Sequence, residues 1–217
     1  MKKLPRYLLL ALTLVLTACG KPDQPTIGLY LAIQRGDLDQ IERHIAWGAD
    51  INKKNVDGRR PLHEAAARGR HAITRLLIDN GADINARDQS DHTPLYSAIM
   101  GGRTQVAQLL VKRGAESDPD RLLDQLVESR VSDRDAIALL IRWGADINHL
   151  DNRGRTPLIQ AISGGDRVLI KLLINKGADV NKPDGSGKRP LDLAVSLNDA
   201  DIIRLLVKNG AEKEHGS

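Results

Sequence analysis

Two short stretches hold residue types that could support chemistry, and neither has the spacing that the chemistry requires. The segment HEAAARGRH contains His63, Glu64 and His71, but zinc proteases place two histidines at i and i+4, and here the spacing is i, i+8. The segment GSGKRP at 185–190 combines glycines with a lysine, as phosphate-cradling loops do. It lacks the leading glycine spacing and a preceding apolar strand. The sequence therefore predicts no catalytic residue, no metal or cofactor site and no small-molecule substrate.

Cys19 is the single cysteine, so the fold has no internal disulfide. It follows three cations, Lys2, Lys3 and Arg6, and an apolar run over residues 7–18. A charged start, a short apolar core and small residues before a cleavage point are typical of a secretory signal. The run is shorter than the roughly 20 residues that a membrane-spanning helix needs.

The segment Leu16-Thr17-Ala18-Cys19 resembles the lipobox of bacterial lipoproteins. The resemblance implies cleavage before Cys19 and lipid on its sulfur and on the new amino group. Each buried CH₂ contributes about 0.8 kcal/mol, so two or more acyl chains would anchor the chain stably. We expect a signal peptide over 1–18 and a lipidated tether over 19–25. A plain signal peptide that happens to contain a cysteine is the alternative.

Residue 20 is Gly, whereas an Asp at this position often retains such lipoproteins in the inner membrane. Gly20 therefore favours the outer membrane, with the protein facing the periplasm. The six residues GKPDQP reach at most about 20 Å, which keeps the folded part near the membrane surface.

The composition favours closely packed helices, because the chain has no Phe and few aromatic rings, and β-sandwich strands usually draw on aromatic and β-branched residues. The net charge is +4, but removing Lys2, Lys3 and Arg6 leaves 29 Lys and Arg against 28 Asp and Glu. This balance argues against a nucleic-acid partner, which requires a concentrated basic surface.

A fixed period runs through the rest of the chain. Gly-Ala pairs begin at residues 48, 81, 114, 144, 177 and 210, with spacings of 33, 33, 30, 33 and 33. A second marker, an alanine at positions 32, 65, 98, 161 and 194, keeps the same register. A period near 33 is typical of a stacked repeat. In RPLHEAAARG and HAITRLLIDNG, Pro61 begins one short helix and Gly81 ends a second.

The segment GADINKKNVDGRRPLHEAAARGRHAITRLLIDNGADIN resembles the ankyrin repeat consensus over its whole length. The resemblance implies an all-α solenoid of about six helix-turn-helix units with projecting β-hairpin loops, and we expect a monomer. It also implies that Gly-Ala-Asp turns the chain into the hairpin, that the following Asn fixes that turn, and that His63 bonds neighbouring backbone. The expected repeat domain, 26–217, divides at about 26–57, 58–90, 91–118, 119–153, 154–186 and 187–217.

The fourth unit, GAESDPDRLLDQLVESRVSDRDAIALLIRWGAD, is three residues short and lacks the Thr-Pro-Leu motif. We expect helices in RLLDQLV and RDAIALLI, with the preceding hairpin lost or reshaped into a loop around Pro119. Neutral drift in a tolerant unit is one explanation. A break in the hairpin row that makes room for a partner is the other.

The resemblance implies a protein partner bound by the hairpin tips and the inner face of the first helices. Arg59, Arg155 and Lys188 share one phase, so stacking should align them in a cationic row that steers an acidic partner. An ordinary solvated face is the alternative. The expected partner-binding residues are Val56, Asp57, Arg59, Arg68, Gln89, Ser90, His92, Met100, Asn152, Arg153, Arg155 and Lys188. Trp47 and Trp143, also in phase, are either interface anchors or cover the loop between units. The remaining histidines are scattered and most are expected to be solvated.

These features predict a membrane-tethered periplasmic protein-binding module that recruits, stabilises or inhibits another protein. An immunity protein that neutralises a periplasm-acting toxin is the alternative, since a concave surface can cover a catalytic cleft. An enzyme is the least favoured class, because no catalytic constellation is present.

Overall fold

The computed structural model describes residues 22–212, in which the regular structure consists of twelve α-helices and no β-strand. No helix in this part of the chain is long and apolar enough to cross a bilayer. The helices are α1 (Leu29–Arg35), α2 (Leu38–Ala46), α3 (Pro61–Ala67), α4 (His71–Asp79), α5 (Pro94–Met100), α6 (Thr104–Lys112), α7 (Pro119–Glu128), α8 (Arg134–Arg142), α9 (Pro157–Ser163), α10 (Arg167–Asn175), α11 (Pro190–Ser196) and α12 (Ala200–Lys208).

The helices form six consecutive pairs, and the pairs stack in chain order. The first helix of each pair packs on the first helix of the next, giving a continuous row from α1 to α11. The second helices form a parallel row, in which α2, α4, α6 and α8 pack successively. The repeated alanines Ala65, Ala98 and Ala161 are at most 2% exposed. Their small side chains let neighbouring first helices approach closely. The all-α solenoid that the resemblance implied is confirmed.

The helix starts are encoded locally. Proline occupies the first turn of α3, α5, α7, α9 and α11, where its missing N–H has no helical partner to lose. Side chains cap several other helices, as when Asp166 accepts the N–H groups of Val168 and Leu169. Most first helices are only seven residues long, too short to be stable alone, so their stability comes from stacking.

The recurrent Asn links each unit to the next. The Asn52 side chain accepts the N–H of Asp83 at 2.9 Å and donates to the Gly81 carbonyl at 3.0 Å. The turn of its own unit is held instead by Asp50, whose carboxylate accepts the N–H of Asn52 at 2.8 Å. The expectation that Asn fixes its own turn was therefore wrong. The Asp serves the local turn, and the Asn orients the Gly-Ala-Asp turn that follows one period later.

The fourth unit loses its projecting loop. Twelve residues lie between Gly81 and Pro94, but only four lie between Gly114 and Pro119. Pro119 is the first residue of α7 and not part of a reshaped loop, because Asp118 caps the helix and the fixed φ of proline suits its first turn. The helix α7 is also longer than the other first helices, and its inward face keeps the stack continuous through Leu126, which is fully buried.

Candidate partner-binding site

Four exposed loops with one shared geometry project between helix pairs, and we call them the first to fourth fingers. They span residues 55–59, 88–92, 151–155 and 184–188. In the third finger, the Asp151 carboxylate accepts the N–H groups of Arg153 and Arg155, both at 2.8 Å. The N–H of Asp151 donates to the Arg155 carbonyl at 2.9 Å. The N–H of Gly154 also donates to the Asp151 carbonyl, at 2.8 Å. Because the side chain of the first residue in the finger accepts the N–H groups that a strand ladder would use, the predicted hairpins are tight loops without β-strands.

The fingers associate in two pairs. The Gln89 side chain of the second finger donates to the Val56 carbonyl of the first at 3.0 Å. In the other pair, the N–H of Gly185 donates to the Gly154 carbonyl at 2.7 Å. The short connection over 114–119 stands where a finger between these pairs would be. The row of fingers is therefore interrupted between the second and the third.

A cleft of about 300 Å³ lies beside this interruption. The second finger forms one wall through Asp91 and His92, the connection contributes Glu116, and α7 contributes Arg121. The His92 ring stacks on Tyr96 with centroids 3.7 Å apart and planes within 6°. The cleft thus combines a flat aromatic surface with charged groups of both signs.

Asp91 organises the charges at the cleft. Its carboxylate lies 2.6 Å from the Arg87 guanidinium and 3.6 Å from that of Arg121. The hydrogen bond from Arg87 and the neighbouring charges lower the pKa of Asp91 below its usual value. Its φ is +62°, at a finger position that is glycine in the other three fingers. Aspartate tolerates this conformation better than most residues, but the local strain remains.

The predicted cationic row has partners of its own. The Arg155 guanidinium binds the Asp151 carboxylate at 2.8 Å, and Arg59 lies 3.7 Å from Glu64. The Lys188 ammonium group donates to the Ser196 hydroxyl at 3.2 Å. The carboxylates beside Arg155 and Arg59 therefore weaken the positive field that the shared phase of these residues suggested.

The other predicted partner-binding residues separate into two groups. Arg68 is exposed but donates to Glu64 at 2.5 Å, and Met100 is half-buried against the core. Val56, at the tip of the first finger, is 90% exposed and offers a bare apolar contact. The predicted partner-binding residues that lie in the fingers and are exposed to solvent are Val56, Asp57, Gln89, Ser90, Asn152 and Arg153.

His63 has the structural role that the resemblance implied. It is fully buried, its Nδ1 accepts the N–H of Arg60 at 3.1 Å, and its Nε2 lies 3.0 Å from the His92 carbonyl. Burial lowers the pKa of His63. A neutral imidazole can therefore accept one hydrogen bond and donate the other, joining α3 to the second finger.

Most of the remaining histidines were expected to be solvated, but His149 is partly buried and has two partners. Its Nε2 lies 2.8 Å from the Asp124 carboxylate, and its Nδ1 lies 2.6 Å from the Asp146 carbonyl. Beside it, the Asp120 carboxylate accepts the N–H of Asp146 at 2.7 Å, the role that Asn has at other unit boundaries. The i, i+4 spacing of Asp120 and Asp124 on α7 was the available signal, because it places both on one helix face. Within residues 22–212, no group of three or more His, Cys, Asp or Glu has an arrangement that could hold a metal ion.

Known proteins share this architecture. The potassium channel KOR1 of Oryza sativa subsp. japonica is 45% identical over 51 residues, 24% of this chain and only 6% of the channel. The ankyrin repeat domain of Bcl-3, a member of the IkappaB family, is 26% identical with a TM-score of 0.67, covering 88% of this chain and 89% of that domain.

A chain in the complex of the predatory endopeptidase Bd0816 from Bdellovibrio bacteriovorus with immunity protein Bd3460 has a similar fold. It is 24% identical with a TM-score of 0.64, and the match covers 85% of this chain and 99% of that one. The family model for ankyrin repeats in three copies matches residues 29–121 and 126–216. Most of the sequence is thus accounted for by one repeat, and the chain belongs to the ankyrin repeat family.

Proposed function

We propose that this protein is a lipid-tethered periplasmic module that holds another protein in the cleft beside the second finger. Ankyrin repeats indicate a protein-binding role. The observation that carries the proposed site is the missing finger. Elsewhere one finger covers the next, whereas here the second finger and the start of α7 bound an open cleft of about 300 Å³.

The cleft has properties that suit a projecting loop of a partner. Stacked His92 and Tyr96 present a preformed surface, so little side-chain entropy is lost on binding. Arg121 is 58% exposed and shares the Asp91 carboxylate with Arg87. Its guanidinium can therefore form a bidentate pair with an acidic side chain of the partner. The strained backbone of Asp91 holds the carboxylate between the two arginines, which fits a site organised before binding.

Site-specific cross-linking in intact cells tests this function. A photo-activatable residue replaces Ser117, which is exposed in the cleft, and in a second variant Gln105, which is exposed on α6. We expect a discrete protein adduct from position 117 and none from position 105. The adduct should disappear in Arg121→Glu and persist in Arg75→Glu, which reverses an exposed charge on α4. Identical adducts from both positions, or none from position 117, would overturn the proposed site.

The tether is tested separately, by growing cells with radiolabelled palmitate. We expect label in the wild-type protein and none in Cys19→Ser, with the labelled protein in the outer-membrane fraction. An unlabelled wild-type protein, secreted and soluble, would instead support a plain signal peptide.

A narrower version of the proposal is toxin immunity. It is motivated by the fold shared with a chain of the endopeptidase–immunity protein complex, a likeness that extends to the fold alone. This version predicts that the cross-linked partner is a hydrolase inhibited by one equivalent of the protein, and that cells lacking the protein are killed by it. A partner without such activity would favour recruitment or stabilisation.

A further inference from the structure

The segment that leads out of the signal region is bound to the first unit. Residues 22–27 lie along α2 and contact Gln40 and His44 on this helix and Trp47, the residue that caps its end. These three partners are spaced i, i+4 and i+7, so they lie on one side of the helix. The N–H of Thr26 donates to the Gln40 side chain at 2.8 Å, and the His44 ring lies 2.6 Å from the Ile27 carbonyl. The indole N–H of Trp47 donates to the Pro22 carbonyl at 2.8 Å. The tether is thus fixed to the repeat domain from Pro22 onward.

This attachment shortens the link to the lipid. Pro22 is the third residue after Cys19, and each step along an extended chain spans at most about 3.6 Å. The anchored residue therefore stays within about 11 Å of Pro22. This distance is roughly half of the about 20 Å that the six residues GKPDQP could span if none of them were bound to the repeat domain. Since Pro22 contacts Trp47, the same bound places Trp47 close to the membrane surface.

Trp47 has the chemistry of a residue at a membrane interface. It follows α2 directly, is 44% exposed, and donates its indole N–H to the Pro22 carbonyl. Tryptophan is enriched where apolar and polar phases meet, because its ring is apolar and its N–H polar. Trp143, at the equivalent end of α8, is instead partly buried against the core. Trp47 and Trp143 thus occupy the same position in their repeats but lie in different environments.

We propose that the end of α2 around Trp47 rests on the phospholipid surface to which Cys19 is anchored. This inference depends on the lipid anchor of the proposed function. Insertion of the Trp47 ring among the headgroups adds a second contact to the acyl chains. Two contacts fix which side of the first unit faces the bilayer, and a single flexible tether would leave the array free to rotate.

Tryptophan quenching by brominated lipid tests the contact. The mature chain, residues 19–217, retains every described residue, and its only cysteine can be coupled to a maleimide lipid in phosphatidylcholine vesicles with brominated acyl chains. Trp143→Phe leaves Trp47 as the sole tryptophan, and Trp47→Phe leaves Trp143. We expect the emission of Trp47 to be quenched and blue-shifted on coupling, and that of Trp143 to be unchanged.

The matched control is each variant with Cys19 blocked by N-ethylmaleimide and mixed with the same vesicles, which should show no quenching. Far-UV circular dichroism verifies that both variants are folded. Equal quenching of the two tryptophans, or no quenching of Trp47 after coupling, would overturn the proposed contact. Chemical coupling bypasses cellular lipidation, so a failed palmitate experiment would refute the anchor without affecting this result.

Discussion

The side-chain oxygen of Asn148 accepts the backbone N–H of Asp179 at 2.8 Å, across the boundary between two units. The same bond joins Asn52 to Asp83, and a third copy joins Asn181 to Glu212. One short polar side chain per repeat thus sets the position of the next turn. Nearest-neighbour coupling of this kind gives a solenoid its cooperativity.

Replacing Asn148 with Ala should lower the free energy of unfolding by about 1 kcal/mol, because the N–H of Asp179 loses its partner. The control is Asn175→Ala, which removes the same side chain from an exposed position at the end of α10. Urea denaturation measures both. A midpoint for Asn148→Ala no lower than that of the control would contradict the role assigned to this bond.

Replacing His63 with Ala should lower the unfolding free energy by about 2 kcal/mol or more, since a fully buried ring is lost and two backbone groups lose partners. His71→Ala is the matched control, because His71 is exposed at the start of α4. In both thermal and urea unfolding, the midpoint of His63→Ala should be lower than that of His71→Ala. Equal destabilisation would show that burial of His63 contributes little.

The His149–Asp124 pair should stabilise the fold more in acid than in alkali. Burial alone would lower the pKa of His149, but the Asp146 carbonyl and the Asp124 carboxylate outweigh it and raise the pKa above 6.5. A raised folded-state pKa gives a contribution that is complete below about pH 6.5 and lost as the pH rises through the folded value. We therefore expect the stability difference between wild type and His149→Gln to be larger at pH 6 than at pH 9.

The pH experiment compares urea midpoints at both pH values, and the exposed His71, changed to Gln, serves as the control. Burial lowers the pKa of His63, so His63 affects stability with the opposite pH dependence. Both variants keep His63, and its effect cancels when each variant is compared with the wild type at the same pH. A His149→Gln difference that is constant with pH would show that the pair is not charged.

Contact between fingers should make Gly58→Ala more damaging than Gly187→Ala. Both glycines have positive φ, +70° and +88°, so both substitutions introduce about 1 kcal/mol of backbone strain. A Cβ at Gly58 would also meet the backbone nitrogen of Gln89 at 3.0 Å, whereas a Cβ at Gly187 meets nothing within 4 Å. The midpoint of urea unfolding should be lower for Gly58→Ala than for Gly187→Ala. Equal midpoints would show that the contact between the first two fingers adds little stability.

Much of the fold could be predicted because its signals are local. The proline at the start of α3 and the glycine at residue 81 each act within one helical turn, and their recurrence in register revealed the stack. The shortened fourth unit was also visible as a spacing of 30. The contacts of Asn52 and His149 were missed, because their partners lie 31 and 25 residues away along the chain.

The sequence by itself determined the repeat, its number of units and the place where a finger is missing, since each follows from residue order and from preferences that act over a few residues. Only the tertiary structure decided what the missing finger leaves behind. The cleft, the Asp91 carboxylate between two arginines and the tether along α2 join residues distant in the chain. Stacking brings such residues within hydrogen-bond distance, and no local preference specifies those contacts.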